Sequence, residues 1–205
     1  GDVYVVNGEK TFITSGMRAD YITTAVRTGG AGPGGVSLLV IEGDTPGLSR
    51  TSLKKMGWWA SDTATLHFDN CRVPAGNLLG EEGKGFKIIM HNFNSERLTM
   101  AAGCTAAARV CLDDAVEYAK QRHTFGKPLS QHQVIRHKLV DMAQKVAASQ
   151  AMLEMLAWRL DQGESPVAEI CMLKNQATQT RAFCASEAVQ IFGGMGYCKE
   201  MPLEQ

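Results

Sequence analysis

Two adjacent ionisable residues, Glu96 and Arg97, are the part of this sequence best suited to proton chemistry. They lie within residues 85–122, where apolar side chains such as Ile89 and Phe93 recur every three or four positions, as on one face of a long helix. A carboxylate on such a face needs a compensating partner or a function, and one kept away from water is a candidate general base. The spacing therefore predicts a buried acid-base pair, with a structural ion pair as the alternative.

A second group suits the binding of a phosphate. Arg122, His123 and Thr124 come where the long helix must stop, because Gly126 and Pro128 follow. The forked donors of an arginine at this position can bind a diphosphate. Cations are also favoured at helix C-termini without any ligand, so a simple capping role stays open.

A third group is the double glycine Gly193-Gly194, which follows another helical pattern with Gln190 in its last turn. Glycine lets a ligand approach the backbone closely. A helix C-cap is the alternative, but it needs only one glycine.

The elements that must position these groups change character near residue 78. Before that point, alternating apolar residues, an Asn7-Gly8 pair typical of a hairpin turn and a continuous apolar run at residues 36–41 predict a β domain over residues 1–78.

After residue 78, apolar stripes predict three long antiparallel helices within residues 79–205. The third should start with Ser165 as the cap and Pro166 in the first helical position. Three helices of this length usually belong to a bundle of four, so we expect the sequence to be part of a larger protein.

The composition excludes several classes of function. With 205 residues, 44% hydrophobic and 20% charged, the chain can form one large domain or two modest ones. The formal net charge of +0 gives no reason to expect nucleic acid or an anionic membrane as a partner. The sequence has neither a secretory signal nor an apolar run of the roughly 18 residues that span a membrane. The six cysteines include no CxxC pair, so we expect reduced thiols, no metal site and a soluble intracellular protein.

Five segments of the chain occur together, in this order, in one family of enzymes. They are NGEKTFITSG at residues 7–16, MGWWASDTATLHFDNCRVPAGNLLG at 56–80, the Glu96-Arg97 pair, RHTFGKPLSQHQ at 122–133 and QIFGGMGY at 190–197. Over nearly its whole length, the sequence resembles the flavin-dependent acyl-CoA dehydrogenases. The resemblance implies a multidomain α and β fold, in which an antiparallel β-barrel or sandwich domain is followed by an up-down helical bundle. Residues 1–78 would be part of the middle domain, and residues 79–205 an incomplete C-terminal domain.

The resemblance also implies an activity, an oxidoreductase step of fatty acid β-oxidation. In this family a carboxylate takes the α proton of an acyl-CoA thioester while the β hydrogen leaves as hydride to N5 of FAD, which gives a trans-2-enoyl-CoA. The electrons pass to an electron-transferring flavoprotein. The family's enzymes are homodimers or homotetramers, and we expect this one in the bacterial cytoplasm or the mitochondrial matrix.

Residue by residue, the resemblance assigns a substrate site. Glu96 matches the catalytic base that one group of the family carries on this helix, with Arg97 close to it, while Asn94 and Ser95 match positions along the pantetheine arm. Most other members carry the base in a C-terminal loop that this sequence lacks, so that location stays open.

The matches to the family's FAD contacts come from four segments: Phe12, Ile13 and Thr14; Arg122, His123, Thr124 and Phe125; His132 and Gln133; and Gln190, Gly193 and Gly194. The first segment is implied to lie along the flavin ring. The other three are implied to contact the diphosphate and the adenosine, in part across a subunit interface.

Two other functions remain open at this stage. An acyl-CoA oxidase or a flavin monooxygenase-like relative would have the same fold and pass its electrons to oxygen. A non-catalytic fragment would only bind CoA or self-associate.

Overall fold

The computed structural model describes residues 1–201 and divides the chain into two compact units, Gly1–His91 and Asn92–Gln205. Strands dominate the first unit and helices the second, so the predicted fold class is confirmed. The boundary predicted between residues 78 and 79 lies shortly before the first long helix, which begins at Gly85. Within residues 1–201, no helix combines the length and the hydropathy that crossing a membrane requires.

Residues 1–91 contain five strands in two antiparallel sheets. The strands are β1 (Val3–Thr14), β2 (Tyr21–Arg27), β3 (Val36–Glu42), β4 (Leu48–Ser52) and β5 (Thr63–Pro74). One sheet has the order β1-β5-β4, and the other pairs β2 with β3. Apolar side chains of both sheets form one core, in which Leu39, Ile41 and Leu66 are fully buried.

Strand β1 is continuous where the sequence predicts a hairpin. Asn7 and Gly8, expected to form the turn, lie inside β1 at a shift in its register with β5. There the Asn7 Oδ1 atom accepts a hydrogen bond of 2.8 Å from the backbone N–H of Asn70. The hairpin prediction is wrong, because the Asn7 side chain and the Gly8 φ of 140° accommodate a β-bulge and not a turn.

Three long helices make up most of the remaining chain: α1 (Gly85–Gln121), α2 (Gln133–Asp161) and α3 (Val167–Phe192). Two short strands, β6 (His123–Thr124) and β7 (Lys127–Pro128), separate α1 from α2. The predicted start of the third helix is one residue too early. Pro166 occupies the N-cap position without a side-chain capping bond, and Ser165 offers its carbonyl to the N–H of Val167.

Two buried clusters hold the helices of the second unit together. Ala101 of α1 and Leu156 of α2 belong to one, and Ala108 and Met142 belong to the other. Small residues on α1 allow neighbouring helices to approach closely, as the stripe of alanines predicts.

The N-terminal part of α1 is not the buried wall that the sequence predicts. Phe86 is 39% and Phe93 is 40% exposed. Packing of α1 against the helical cores begins only at Leu98 and Ala101. In the described part of the chain, the apolar stripe before Leu98 is therefore only partly covered: Phe86 and Phe93 are exposed, and Ile89 is half-buried.

Candidate functional site

The connection between α1 and α2 is a tight hairpin that presents Phe125. Strands β6 and β7 pair with each other, which leaves Phe125 and Gly126 as the two central turn residues. Both have positive φ, 50° and 77°, as a type I′ turn requires. Gly126 adopts this conformation without strain, whereas an aromatic residue rarely does. Phe125 is also 97% exposed, so the tip of the hairpin combines a strained backbone with an accessible aromatic side chain.

His132, the N-cap residue of α2, holds this hairpin in place. Its Nε2 atom lies 3.1 Å from the Thr124 hydroxyl oxygen and 3.3 Å from the Thr124 carbonyl oxygen. Its ring meets the Phe125 ring at a steep angle of 74°, with 6.3 Å between the centroids. Thr124, Phe125 and His132 are thus one connected group, and Gln133 is exposed beside it.

The ends of α1 and α3 form an open cleft that brings together four predicted cofactor residues. Arg122 and Thr124 line it from the α1 side, and Gly193 and Gly194 line it from the α3 side. Its volume of about 380 Å³ is at the lower end of the range for small-molecule sites. A guanidinium facing open backbone suits a ligand with an anionic group.

The other predicted cofactor residues of this unit do not line the cleft: the hairpin residues Phe125, His132 and Gln133, and also His123 and Gln190. His123 is exposed, and its Nδ1 atom lies 3.0 Å from the Gln121 carbonyl oxygen. Gln190 is exposed on the last turn of α3, where its carbonyl accepts the N–H of Gly193. Their roles toward a cofactor stay predictions.

The backbone is open at both glycines of the cleft. A Cβ atom built on Gly193 or on Gly194 would meet no other heavy atom within 4 Å. The Gly193 φ of 60° favours glycine in any case, since it ends α3 in a left-handed conformation.

Tyr118 lines the same cleft and is absent from the residues that the sequence singles out. Its ring stacks on Phe192, with 4.1 Å between centroids and 13° between planes. Its hydroxyl donates a hydrogen bond of 3.4 Å to the Phe192 carbonyl. The signal that could have found it is its spacing: Tyr118 lies four residues, or about one helical turn, before Arg122, which follows the end of α1 and donates its backbone N–H to the Tyr118 carbonyl.

In the β unit, Phe12 lies at a second register shift of β1, between Lys10 and Ile13. It has a positive φ of 60°, and its side chain is 77% exposed. Such a bulge changes the direction in which a side chain points. Ile13 packs against the β core, whereas Thr14 is exposed at the end of the strand. Of the predicted flavin-contacting side chains, Phe12 and Thr14 are therefore accessible.

Exposed aromatic side chains on strained backbone recur in this chain. Phe12 and Phe125 share the feature with Trp58, which has φ 55° and is also exposed. The backbone carbonyl of Trp58 accepts a hydrogen bond of 2.9 Å from the Lys55 ammonium, which holds the loop in shape. Local strain of this kind concentrates at ligand-binding positions.

Glu96 and Arg97 do not form the buried pair that the sequence predicts. Glu96 is exposed, and one of its carboxylate oxygens accepts a hydrogen bond from the Asn92 amide. The Arg97 guanidinium lies 5.5 Å from the centre of the Phe93 ring and donates to the Asn94 side chain at 3.4 Å. Adjacent residues point about 100° apart around a helix, so each side chain reaches a neighbour one turn away instead of the other.

The remaining predicted substrate residues lie on the same turns of α1. Asn94 is half-buried and accepts the Arg97 bond, while Ser95 is exposed and offers its carbonyl to the Thr99 hydroxyl at 3.0 Å. Arg97 is bonded to a neutral amide and not to a carboxylate, so its charge is available to a ligand.

Two cysteines of the helical unit, Cys111 and Cys184, are poor nucleophiles. All six cysteines of the chain are free thiols, as predicted. Burial, reinforced by the neighbouring Cys111, raises the pKa of Cys184 to about 11, and burial also raises the pKa of Cys111. Both thiols therefore stay protonated near neutral pH, and a protonated thiol is unreactive.

Comparison with known proteins identifies the family. The family model for the acyl-CoA dehydrogenase C-terminal domain matches residues 83–205, and the model for the middle domain matches residues 1–71. The chain belongs to the acyl-CoA dehydrogenase family. The resemblance of its five sequence segments is thereby confirmed.

Individual relatives match over the whole chain. An acyl-CoA dehydrogenase of Alternaria alternata is 41% identical, over 98% of this chain and 49% of its own length. The mitochondrial isobutyryl-CoA dehydrogenase of Dictyostelium discoideum is 40% identical, over 100% of this chain and 50% of its own. The crystal structure of a probable acyl-CoA dehydrogenase from Mycobacterium abscessus superposes with a TM-score of 0.97 at 53% identity, covering 100% of this chain and 55% of that one. The chain thus spans about half the length of these relatives.

Proposed function

We propose that this chain carries part of an FAD-dependent acyl-CoA dehydrogenase, which oxidises an acyl-CoA thioester to a trans-2-enoyl-CoA. The observation that carries the proposal is the cleft of the helical unit, which Arg122 and the open backbone at Gly194 both line. These residues lie far apart in the sequence, and membership of the family suggests FAD as the ligand of the cleft that they line.

The residues that line the cleft fit the adenosine diphosphate part of FAD. The guanidinium of Arg122 provides forked donors for a diphosphate, and the glycine turn leaves room for a sugar or a base against the main chain. Phe125 does not line the cleft, but it follows Thr124, which does, and its exposed ring, held by His132, is suited to stacking on an adenine. The cleft is open at the surface of the chain. The FAD that it contacts can therefore be held by a second subunit, in a homodimer or homotetramer.

The β unit offers a second set of contacts, for the flavin ring. Phe12 and Thr14 are accessible at the end of β1, and the strained Phe12 has no packing role in the β core. An aromatic face and a hydroxyl donor are suited to a flat, polar ring system.

Bound FAD would accept the β hydrogen of the substrate as hydride. This chain's own part in the reaction is to remove the α proton, and we assign that step to the Glu96 carboxylate. Asn92 donates to one carboxylate oxygen and so orients the group. Arg97, with Asn94 and Ser95, would bind the polar part of the CoA ester along the same helix.

The acyl group cannot be assigned from similarity. The Dictyostelium relative acts on isobutyryl-CoA, while the Alternaria relative, with nearly the same identity to this chain, is named only as an acyl-CoA dehydrogenase. We propose an electron-transferring flavoprotein as the electron acceptor, and the bacterial cytoplasm or the mitochondrial matrix as the compartment.

The proposal is tested by the visible absorption spectrum of the purified protein after incubation with FAD and removal of the excess. A dehydrogenase retains flavin bands at about 450 nm. After acyl-CoA reduces the flavin, air should reoxidise it slowly and an electron-transferring flavoprotein should reoxidise it rapidly. Rapid peroxide formation would instead identify an oxidase. A protein that retains no flavin contradicts the proposal for this chain and favours a non-catalytic role.

A further inference from the structure

Tyr118 stands where the two walls of the cleft meet. It lies on α1, four residues before Arg122, and both residues line the cleft. Its ring stacks on Phe192, the last residue of α3, and Phe192 is followed directly by the glycine turn. Tyr118 therefore connects the end of α1, which Arg122 follows, with the glycine turn after α3.

The hydroxyl of Tyr118 provides a second connection at the same place. It donates to the carbonyl of Phe192 at 3.4 Å. Phe192 is the last residue of α3 and the N-cap of the short 3-10 helix Gly193–Tyr197. The Tyr118 hydroxyl adds a side-chain donor to the Phe192 carbonyl one residue before Gly193, where φ is 60°. The ring and the hydroxyl together fix the position from which the turn begins.

We propose that Tyr118 is a positioning residue of the cleft, which aligns the Gly193-Gly194 turn with Arg122 so that both contact one adenosine diphosphate group. The proposal rests on the proposed function for the identity of the ligand. The alignment itself is a property of the chain alone. Tyr118 acts through Phe192 and the turn, and not through a contact of its own with the ligand.

Two substitutions separate the parts of this interaction. Tyr118→Phe keeps the stacked ring and removes the hydroxyl, and Tyr118→Leu removes both. Tyr197→Phe is the matched control, because it removes a hydroxyl just beyond the same turn from a side chain that is 95% exposed. Each variant is measured in two ways: by the exchange rate of the Gly193 amide hydrogen in the ligand-free protein, and by the dissociation constant for FAD.

We expect Tyr118→Phe to accelerate exchange of the Gly193 amide and to weaken FAD binding, each by about three- to tenfold, with larger effects in Tyr118→Leu. Tyr197→Phe should change neither. Because Tyr118 acts through the turn, its effect on FAD affinity should largely disappear when Gly194→Ala is already present.

Unchanged exchange and unchanged affinity in both Tyr118 variants would overturn the proposal. Weakened binding with unchanged exchange, additive with Gly194→Ala, would also overturn it, because Tyr118 would then contact the ligand directly. If the unaltered protein binds no FAD, the proposed function fails. The exchange rates of the Gly193 amide then decide by themselves whether Tyr118 positions the turn. Faster exchange in Tyr118→Phe then supports the positioning role, and unchanged exchange rejects it.

Discussion

Gly193 and Gly194 are neighbours at the end of α3, yet the fold requires glycine at only one of them. Gly193 has a φ of 60°, a left-handed conformation that L side chains rarely adopt. Gly194 has no such φ, and a Cβ atom there would meet no protein atom within 4 Å. Nothing within the described residues excludes a side chain at Gly194, so its backbone is open to a ligand.

Substitution of the two glycines should therefore have opposite effects. Gly194→Ala should change the free energy of unfolding by less than about 0.5 kcal/mol but weaken FAD binding about tenfold or more, since a methyl group would occupy the ligand's place. Gly193→Ala should lower the free energy of unfolding by about 1 kcal/mol through backbone strain. Urea unfolding and FAD titration of both variants check this. Wild-type FAD affinity in Gly194→Ala would contradict it.

Phe125→Asn tests the strained hairpin tip in a similar way. Asparagine tolerates positive φ far better than phenylalanine, so the variant should be more stable by about 0.5–1 kcal/mol. It removes the exposed ring, so FAD affinity should fall about three- to tenfold. A gain in stability together with a loss of affinity would show that the strain serves binding. Val134→Asn, at an exposed apolar residue near the start of α2, is the control and should not alter affinity.

The stability of the helical unit should fall at alkaline pH because of Cys184. Its pKa is raised from 9.0 to about 11 by burial and by Cys111. As the pH rises above 9, the thiol ionises in the unfolded chain before it does so in the folded one, which favours unfolding. Between pH 9 and about 11, the protein should lose stability.

Comparison with a variant isolates this contribution. Cys184→Ala should show a smaller loss of stability than the unaltered protein over the same pH range, measured by urea unfolding. Cys198→Ala, at a less buried thiol, should keep the wild-type slope. Equal slopes in the Cys184 variant and the unaltered protein would show that burial of this thiol does not affect the pH dependence.

At acidic pH, the connection between α2 and α3 should weaken. The Arg159 guanidinium lies 2.7 Å from Glu164 and 3.0 Å from Glu169. A backbone hydrogen bond and the bond from Arg159 lower the pKa of Glu169 below its ordinary value. The stabilisation is present above the ordinary glutamate pKa and is lost as the pH falls through the lowered pKa of the folded state. Arg159→Gln should therefore lose less stability than the unaltered protein between pH 7 and strongly acidic pH in urea unfolding. Lys120→Gln, in a 3.9 Å exposed pair, should behave as the unaltered protein does.

The helices could be predicted because their apolar spacing and their stop signals agree. Pro128 and the double glycine at 193–194 end helical patterns, and α1 and α3 stop within a few residues of those points. The short strand β4 (Leu48–Ser52) carries too few apolar residues to be recognised, and β5 supplies its pairing partner. The hairpin prediction at Asn7-Gly8 was wrong because β-bulges and hairpin turns both favour residues that tolerate a positive φ.

The sequence names the candidate site residues but not their geometry. Sequence spacing could not show that Arg122 and Gly194 line one cleft, since that depends on how the ends of α1 and α3 are arranged. The strain at Phe12 and Phe125 is visible only in backbone angles. The predicted burial of Glu96 was wrong because an apolar stripe indicates a face to be covered without showing what covers it.

The central claim is that this chain's Glu96 starts acyl-CoA oxidation by removing a proton. The most direct measurement is anaerobic addition of an acyl-CoA panel to the FAD-loaded protein, following the flavin absorbance near about 450 nm. The account predicts rapid bleaching with a suitable acyl-CoA and a rate about 10² to 10⁴ times lower in Glu96→Gln, which should retain its flavin. Glu117→Gln, at another exposed acid of α1, should bleach at the wild-type rate. Bleaching at the wild-type rate in Glu96→Gln would contradict this and show that Glu96 is not the base.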